Sequence, residues 1–202
     1  MKTIPLRLEG YTDLPPGKIA NVVTYLDMTA PPDGDAPPAP AGLSVRHVPS
    51  PDPAWYRALF RRIGEDWLWS SILVMPADEL AALLADPAIE IHVLERNGEA
   101  IGVAELDLRR AGEVEIVLFG VVPDAIGTGA ARHLMTTVLR RAFRAGVGRV
   151  WLHTCTFDHP DAVRFYRRAG FTAFKHGIEV MDDPRLTGHL PESAAPHVPV
   201  VR

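Results

Sequence analysis

Between Glu113 and Ala145 the sequence changes its hydrophobic period once, and that change limits what the chain can fold into. A β-branched run (Val114, Ile116, Val117, Val121, Val122) stops at Pro123 and crosses a turn containing Gly127 and Gly129. It continues from about Thr128 to Ala145 with Leu134, Val138, Leu139 and Phe143 at helical spacing. This spells a strand, a glycine turn and a helix N-terminus. The first amides of a helix have no intrahelical partner and lie at the positive end of the macrodipole, so glycines that let a ligand approach them make an anion site, expected to take a phosphate or pyrophosphate. Two nucleotide-binding readings fail on spacing. No Gly-Lys-Ser/Thr closes the turn, and Arg132 stands where a dinucleotide fingerprint needs a third small residue. On these residues alone, an ordinary strand-to-helix turn remains open.

Around this segment the chain reads as alternating elements. Ile19 to Met28 forms a strand after the Pro-Pro-Gly turn at Pro15, and Pro31 to Gly42, dominated by Pro and Ala, reads as an extended, mobile linker. Leu43 to Val48 is a short strand. Asp52-Pro53 opens a helix that Gly64 ends, with Trp55, Tyr56, Leu59, Phe60 and Ile63 on its apolar side. Glu65 to Val74 has no period but carries Trp67 and Trp69, which share a side if the segment is extended. Pro76 to Ala85 is a second helix. Strands Ile89–Arg96 and Glu99–Leu108 flank Asn97-Gly98, a strong hairpin signal. A further turn at Arg109–Gly112 leads into the strand Glu113–Val122. After the glycine-turn helix come a strand (Arg149–Phe157), a helix (Asp161–Ala169) and a closing strand (Phe171–Val180). Residues 1–30 are thus set apart as an N-terminal strand extension, 31–42 as the linker, 43–183 as the main domain, and the proline-rich 184–202 as a tail.

The turn reads Val-x-Pro-x-x-x-Gly-x-Gly-x-Ala, and in register downstream stands Asp158-His159-Pro160-Asp161-Ala162-Val163-Arg164-Phe165-Tyr166-Arg167-Arg168-Ala169-Gly170-Phe171. The pair resembles the GNAT superfamily of N-acetyltransferases over about Glu113 to Phe171. The resemblance implies an α+β fold: a mixed, mostly antiparallel sheet of about six or seven strands, about four flanking helices, and a splayed central strand pair. It also implies that acetyl-CoA is the cosubstrate, held by Ile126, Gly127, Thr128, Gly129, Ala130, Ala131 and Arg132 around its pyrophosphate and by Phe119, Val121 and His159 along its pantetheine arm. Ile126 departs from the family's Arg or Gln, and His159 from its Asn. Tyr166 matches the tyrosine that returns a proton to the departing thiolate.

For the amine's proton, strand alternation places Glu113, Glu115, Val117 and Phe119 on one face and makes Glu115 the first candidate base, with a water wire as the alternative. His153 is the reserve, against a plain core role. Gly120, in a β-branched and aromatic run, fits a bulge or a packing requirement equally. The resemblance implies that the region of Trp67 and Trp69 borders the acceptor site, which makes them candidate substrate contacts, or core anchors. Cys155, the single cysteine, is discounted as an acetyl carrier, and the histidine spacing indicates no metal site.

The expected function is acetyl transfer from acetyl-CoA to a primary amine of a small molecule, by direct attack in a ternary complex. Acetylation of a protein lysine or N-terminus, and a non-catalytic acyl-CoA-binding module, are the alternatives. A net charge of -4 without a basic stripe argues against nucleic acid, and no apolar run reaches the length of a membrane span. With no signal-peptide core and one cysteine, a cytoplasmic location is expected. A homodimer is left open.

Overall fold

The computed structural model describes residues 5–34 and 38–202; the first four residues of the N-terminal stretch and residues 35–37 of the linker lie outside the described residues. The chain runs β1 (Lys18–Met28), β2 (Leu43–His47), α1 (Pro53–Gly64), α2 (Ser71–Val74), α3 (Ala77–Ala85), β3 (Ile89–Arg96), β4 (Glu99–Asp107), β5 (Glu113–Val121), α4 (Ala130–Ala142), β6 (Arg149–Cys155), α5 (Ala162–Arg168) and β7 (Thr172–Asp182). The seven strands form one sheet in the order β2-β3-β4-β5-β6-β1-β7, antiparallel throughout except for the β5–β6 pair. The aperiodic stretch after α1 folds into a 3-10 turn, Glu65–Trp67, and the short α2, bringing the α-helices to five where the sequence suggested about four.

Local chemistry sets the boundaries. Asp52 Oδ1 accepts the Trp55 amide at 2.8 Å and caps α1, with Pro53 at the first helical position. The hairpin between β3 and β4 turns on Asn97 and Gly98, both at positive φ (52° and 86°), as a two-residue turn between twisted strands requires. One face of the sheet is covered by α1 and α3 and the other by α4 and α5, and the main core lies between these layers, with Tyr56, Phe60, Leu94, Leu106, Leu134, Leu139 and Leu152 almost fully buried.

Two segments pack differently from their sequence reading. β1, set apart as an extension, lies inside the sheet between β6 and β7, with Leu26 and Met28 in the main core. The stretch after Asp183, read as a tail, buries Leu190, Ala194 and Ala195 against Ile19, Leu68 and Phe157. Its staple is Arg185, whose guanidinium pairs with Asp183 at 2.7 Å and donates to the carbonyls of Ala194, Ala195 and Val198. Spaced prolines concealed this, because irregular backbone that docks has no period to read.

A buried polar cluster joins the sheet to the end of α4. Arg144 forms a double hydrogen bond to Glu90, which also contacts His92 Nε2 at 3.0 Å; His92 itself is fully buried, and its Nδ1 has no partner. Hydrogen bonds from Arg144 hold the Glu90 carboxyl down at about 2, whereas burial pushes the His92 imidazole below its ordinary value. Both act in the same direction on acidification. The unfolded chain takes up a proton on His92 as pH falls through about 6.5, and one on Glu90 through about 4.5, while the folded chain resists both. Unfolding free energy measured by urea titration is therefore expected to decline from about pH 6.5 downward. Glu90→Gln is expected to flatten the part of that decline below about pH 4.5, and an unchanged acid limb would contradict this assignment.

Candidate active site

The β5–β6 ladder exists only from Glu113–Arg149 to Ile116–Leu152; beyond it the two strands diverge, leaving Phe119, Gly120 and Val121 along an opening. That opening continues into a cleft of about 670 Å³ that runs from the glycine turn, past α4 and α5, to Trp67 and Trp69. The cleft brings together Ile126, Gly127, Gly129, Ala131, Arg132, Phe119, Val121, His159, Tyr166, Trp67 and Trp69. Thr128 and Ala130 do not line it. The Thr128 hydroxyl turns back to the Ala125 carbonyl at 2.8 Å, and Ala130 is fully buried beneath the turn.

At one end, Gly127 and Gly129 adopt φ of 78° and 86°, and a Cβ at either would meet nothing within 4 Å. The left-handed backbone explains why glycine stands there. Gly129 caps α4 with no side chain, the first intrahelical bond runs from the His133 amide to the Gly129 carbonyl, and the amides of Ala131 and Arg132 have no intramolecular partner among the described residues. Arg132, Arg140, Arg164 and Arg168 also line the cleft. Open amides, the helix dipole and four guanidinium groups suit a polyanionic, extended ligand such as the diphosphate and phosphate of CoA. Ile126 adds only an apolar, partly exposed side chain to this end.

At the other end Tyr166 is packed edge-on against Phe119, Phe165 and Phe171. Its hydroxyl has no hydrogen-bond partner among the described residues, and the residue borders the cleft. Burial, with a smaller contribution from Asp158, pushes the phenol well above its ordinary value, so it is held protonated.

Asp158 is a residue that motif reading passed over. Its Oδ1 accepts Trp69 Nε1 at 2.7 Å, and its Oδ2 accepts the Thr154 hydroxyl at 2.5 Å and the Cys155 amide at 2.9 Å. One carboxylate thus ties the segment after α1 to the loop before α5, across the cleft. The available sign was a lone acid just past a strand end, a place where carboxylates commonly accept backbone amides. The two tryptophans do not share a side. Leu68 takes a left-handed conformation (φ 56°), which turns Trp67 out to stack edge-on with His159 at 5.3 Å and sends Trp69 inward against Phe60. His159 Nδ1 accepts the Asp161 amide, so its ring is fixed beside Trp67.

Glu115 requires a correction. Between Ile116 and Leu118 the β4–β5 register slips by one residue, leaving Val117 as the extra residue of a bulge. Glu115 therefore pairs with Asp107, and Leu118 and Gly120 pair with Glu105 and Val103 on that same face, toward α1. Phe119 and Val121 face the opposite side. The alternation that put Glu115 and Phe119 together does not survive the bulge, and Glu115 is absent from the cleft lining. The bulge is at Val117, not at Gly120. Gly120 is instead a packing glycine: a Cβ there would come within 2.5 Å of Ile63 Cγ2 and 2.9 Å of Trp69.

On the α1 face, His153 Nδ1 lies 3.5 Å from Glu115 Oε1, and its imidazole is 43% exposed, so it is not a core histidine. Contact with Glu115 outweighs burial and raises its pKa. Beneath them Tyr56 donates to the buried Glu105, whose carboxyl burial pushes upward. Cys155 is raised to about 11 by burial, which disfavours the thiolate an acetyl carrier needs. Among the described residues, no group of three or more His, Cys, Asp or Glu side chains is placed to hold a metal, and no helix is long and apolar enough to cross a membrane.

A mixed sheet that splays at its parallel pair, with an open helix N-terminus at the mouth of the gap, defines the class of folds that thread an extended anionic ligand between two strands. The chain belongs to the acetyltransferase (GNAT) family, whose family model matches residues 53–171. It is 29% identical to a mycothiol acetyltransferase of Cellulomonas flavigena over 223 residues, covering 98% of this chain and 61% of that protein. It is 26% identical to a mycothiol acetyltransferase of Pseudarthrobacter chlorophenolicus over 87% of this chain and 50% of that one. The chain thus spans between half and two thirds of the length of these relatives. A GCN5-related N-acetyltransferase from Sphaerobacter thermophilus shares the fold, with a TM-score of 0.59 at 22% identity over 81% of this chain and 52% of that one.

Proposed function

We propose that this chain transfers the acetyl group of acetyl-CoA to a primary amine of a small molecule, by direct attack within a ternary complex. The carrying observation is the line from the open amides of Ala131 and Arg132, along the unpaired edge at Phe119 to Val121, to the Tyr166 hydroxyl. In this reading the glycine turn and the cleft arginines hold the CoA phosphates, and the free β5 edge aligns the pantetheine arm. Acetyl-CoA supplies the activated acyl group when bound. Glu115, next to His153 on the α1 face and outside the cleft lining, takes the proton of the incoming amine through water that reaches the β5–β6 gap from that face. Tyr166 returns a proton as the thiolate leaves; a thiolate of pKa about 8.5 needs little help, so a phenol held protonated suffices.

Trp67 and Trp69 have different parts in this proposal. Trp67, turned outward beside His159, contacts the acceptor, while Trp69, anchored on Asp158, shapes the cleft wall. The mycothiol acetyltransferase relatives make a mycothiol-type amine the first acceptor to try.

The test is release of free CoA thiol from acetyl-CoA across a panel of small amines and peptides. Turnover with at least one small amine is expected, and Tyr166→Phe should lower kcat by about tenfold to a hundredfold with little change in KM for acetyl-CoA. Binding of acetyl-CoA without turnover on any amine would overturn the transfer reading. Turnover on peptides alone would overturn the small-molecule acceptor.

A further inference from the structure

β7 is an edge strand of eleven residues that pairs only with β1 among the described residues, and nine of its eleven residues are exposed. Ile178 and Val180 are about half exposed, and Val22 of β1, paired with Ile178, continues the apolar row on the same face; Phe174, the extra residue of a bulge opposite Tyr25 and Leu26, packs on the other face against Tyr25. From Lys175 to Asp182 the strand is regular and free of proline, and an edge of that kind with apolar side chains is a template for another strand.

The strand's own sequence says which one. Laid antiparallel on a second copy with Gly177 opposite Gly177, Lys175 faces Glu179 of the second copy and Glu179 faces its Lys175. His176 then falls opposite Ile178, and the bulge at Phe174 lies outside this symmetric segment. Both charges are already held on one face: the Lys175 ammonium lies 3.7 Å over the Tyr25 ring, and Glu179 accepts from Asn21 Nδ2 at 2.9 Å. Register is specified as well. Moving the centre two residues toward either end sets Lys175 against Lys175, or Glu179 against Glu179, which is unfavourable.

We propose that a second copy of the chain occupies this edge, joined β7 to β7 about a two-fold axis at Gly177, so that the two sheets continue into one. The interface is isologous, and each charge pair occurs twice.

Sedimentation equilibrium on the wild type, Lys175→Glu, Glu179→Lys, their equimolar mixture and the double variant tests this. The wild type is expected to dimerise, and each single variant to dimerise at least about tenfold more weakly, because two attractive pairs become repulsive. The mixture should form a heterodimer, and the double variant should recover the wild-type constant. Gly177→Cys in the otherwise intact chain should give a disulfide-linked dimer on mild oxidation, since directly opposed residues lie within disulfide reach. A wild type that stays monomeric, a dimer indifferent to both charge reversals, or a failure of the Gly177→Cys crosslink would overturn the proposal.

Discussion

Replacing Glu115 with Gln is expected to lower kcat/KM for the acceptor by about two to four orders of magnitude, the range removed when a positioned base is lost. Acetyl-CoA affinity should remain, because Glu115 lies across the sheet from the glycine turn and outside the cleft lining. Carboxylate and amide are nearly isosteric, so the fold should survive. A second readout separates a proton-accepting role from a structural one. Contact with the Glu115 carboxylate raises the His153 pKa, so in Glu115→Gln the His153 resonances should titrate at a lower pH, nearer the ordinary imidazole value. Wild-type turnover by this variant would leave the amine to a water wire. An unmoved His153 titration would show that the two side chains do not interact.

The largest effect on stability is expected from Arg185→Ala. The side chains of Arg185 and Asp183 are each about 1% exposed, and removing the cation leaves a buried carboxylate unpaired and three carbonyls without their donor. Breaking a buried pair in this way costs about 3–5 kcal/mol. The loss should be visible as a shift in the urea midpoint and as faster proteolysis between residues 186 and 202. Replacing both partners, as in Asp183→Asn with Arg185→Leu, should recover much of it, since no uncompensated charge remains. If the single variant is as stable as the wild type, the docking of residues 190–198 rests on apolar contacts alone.

How much of this was readable in advance depended on the range of the interaction. The Asp52-Pro53 helix start, the Asn97-Gly98 hairpin and the glycine pair before α4 are specified by neighbours in sequence, and each formed as the residues suggest. The splayed mixed sheet followed from the two motifs in register. The bulge at Val117 was not readable, because nothing in a β-branched run distinguishes an extra residue from a paired one; this reversed the relation of Glu115 to Phe119. Gly120 fitted a bulge or a packing requirement equally, and what decides for packing is Ile63 and Trp69, which reach it only across the fold. Asp158 belongs with Gly120 in this respect: the Trp69 indole it anchors is 89 residues away in sequence.

The interior position of β1 has a consequence for how the chain acquires its shape. The slot it fills is bounded on one side by β7, so Lys18 meets Asp182 only after every other strand of this sheet has been synthesised. Until then β1 has β6 on one flank at most, and its apolar residues wait in the open. Non-local pairing of this kind slows closure and prolongs the period in which chaperones or neighbouring chains can capture an unfinished sheet. Completion of this sheet therefore waits on a seam that joins its first strand to its last.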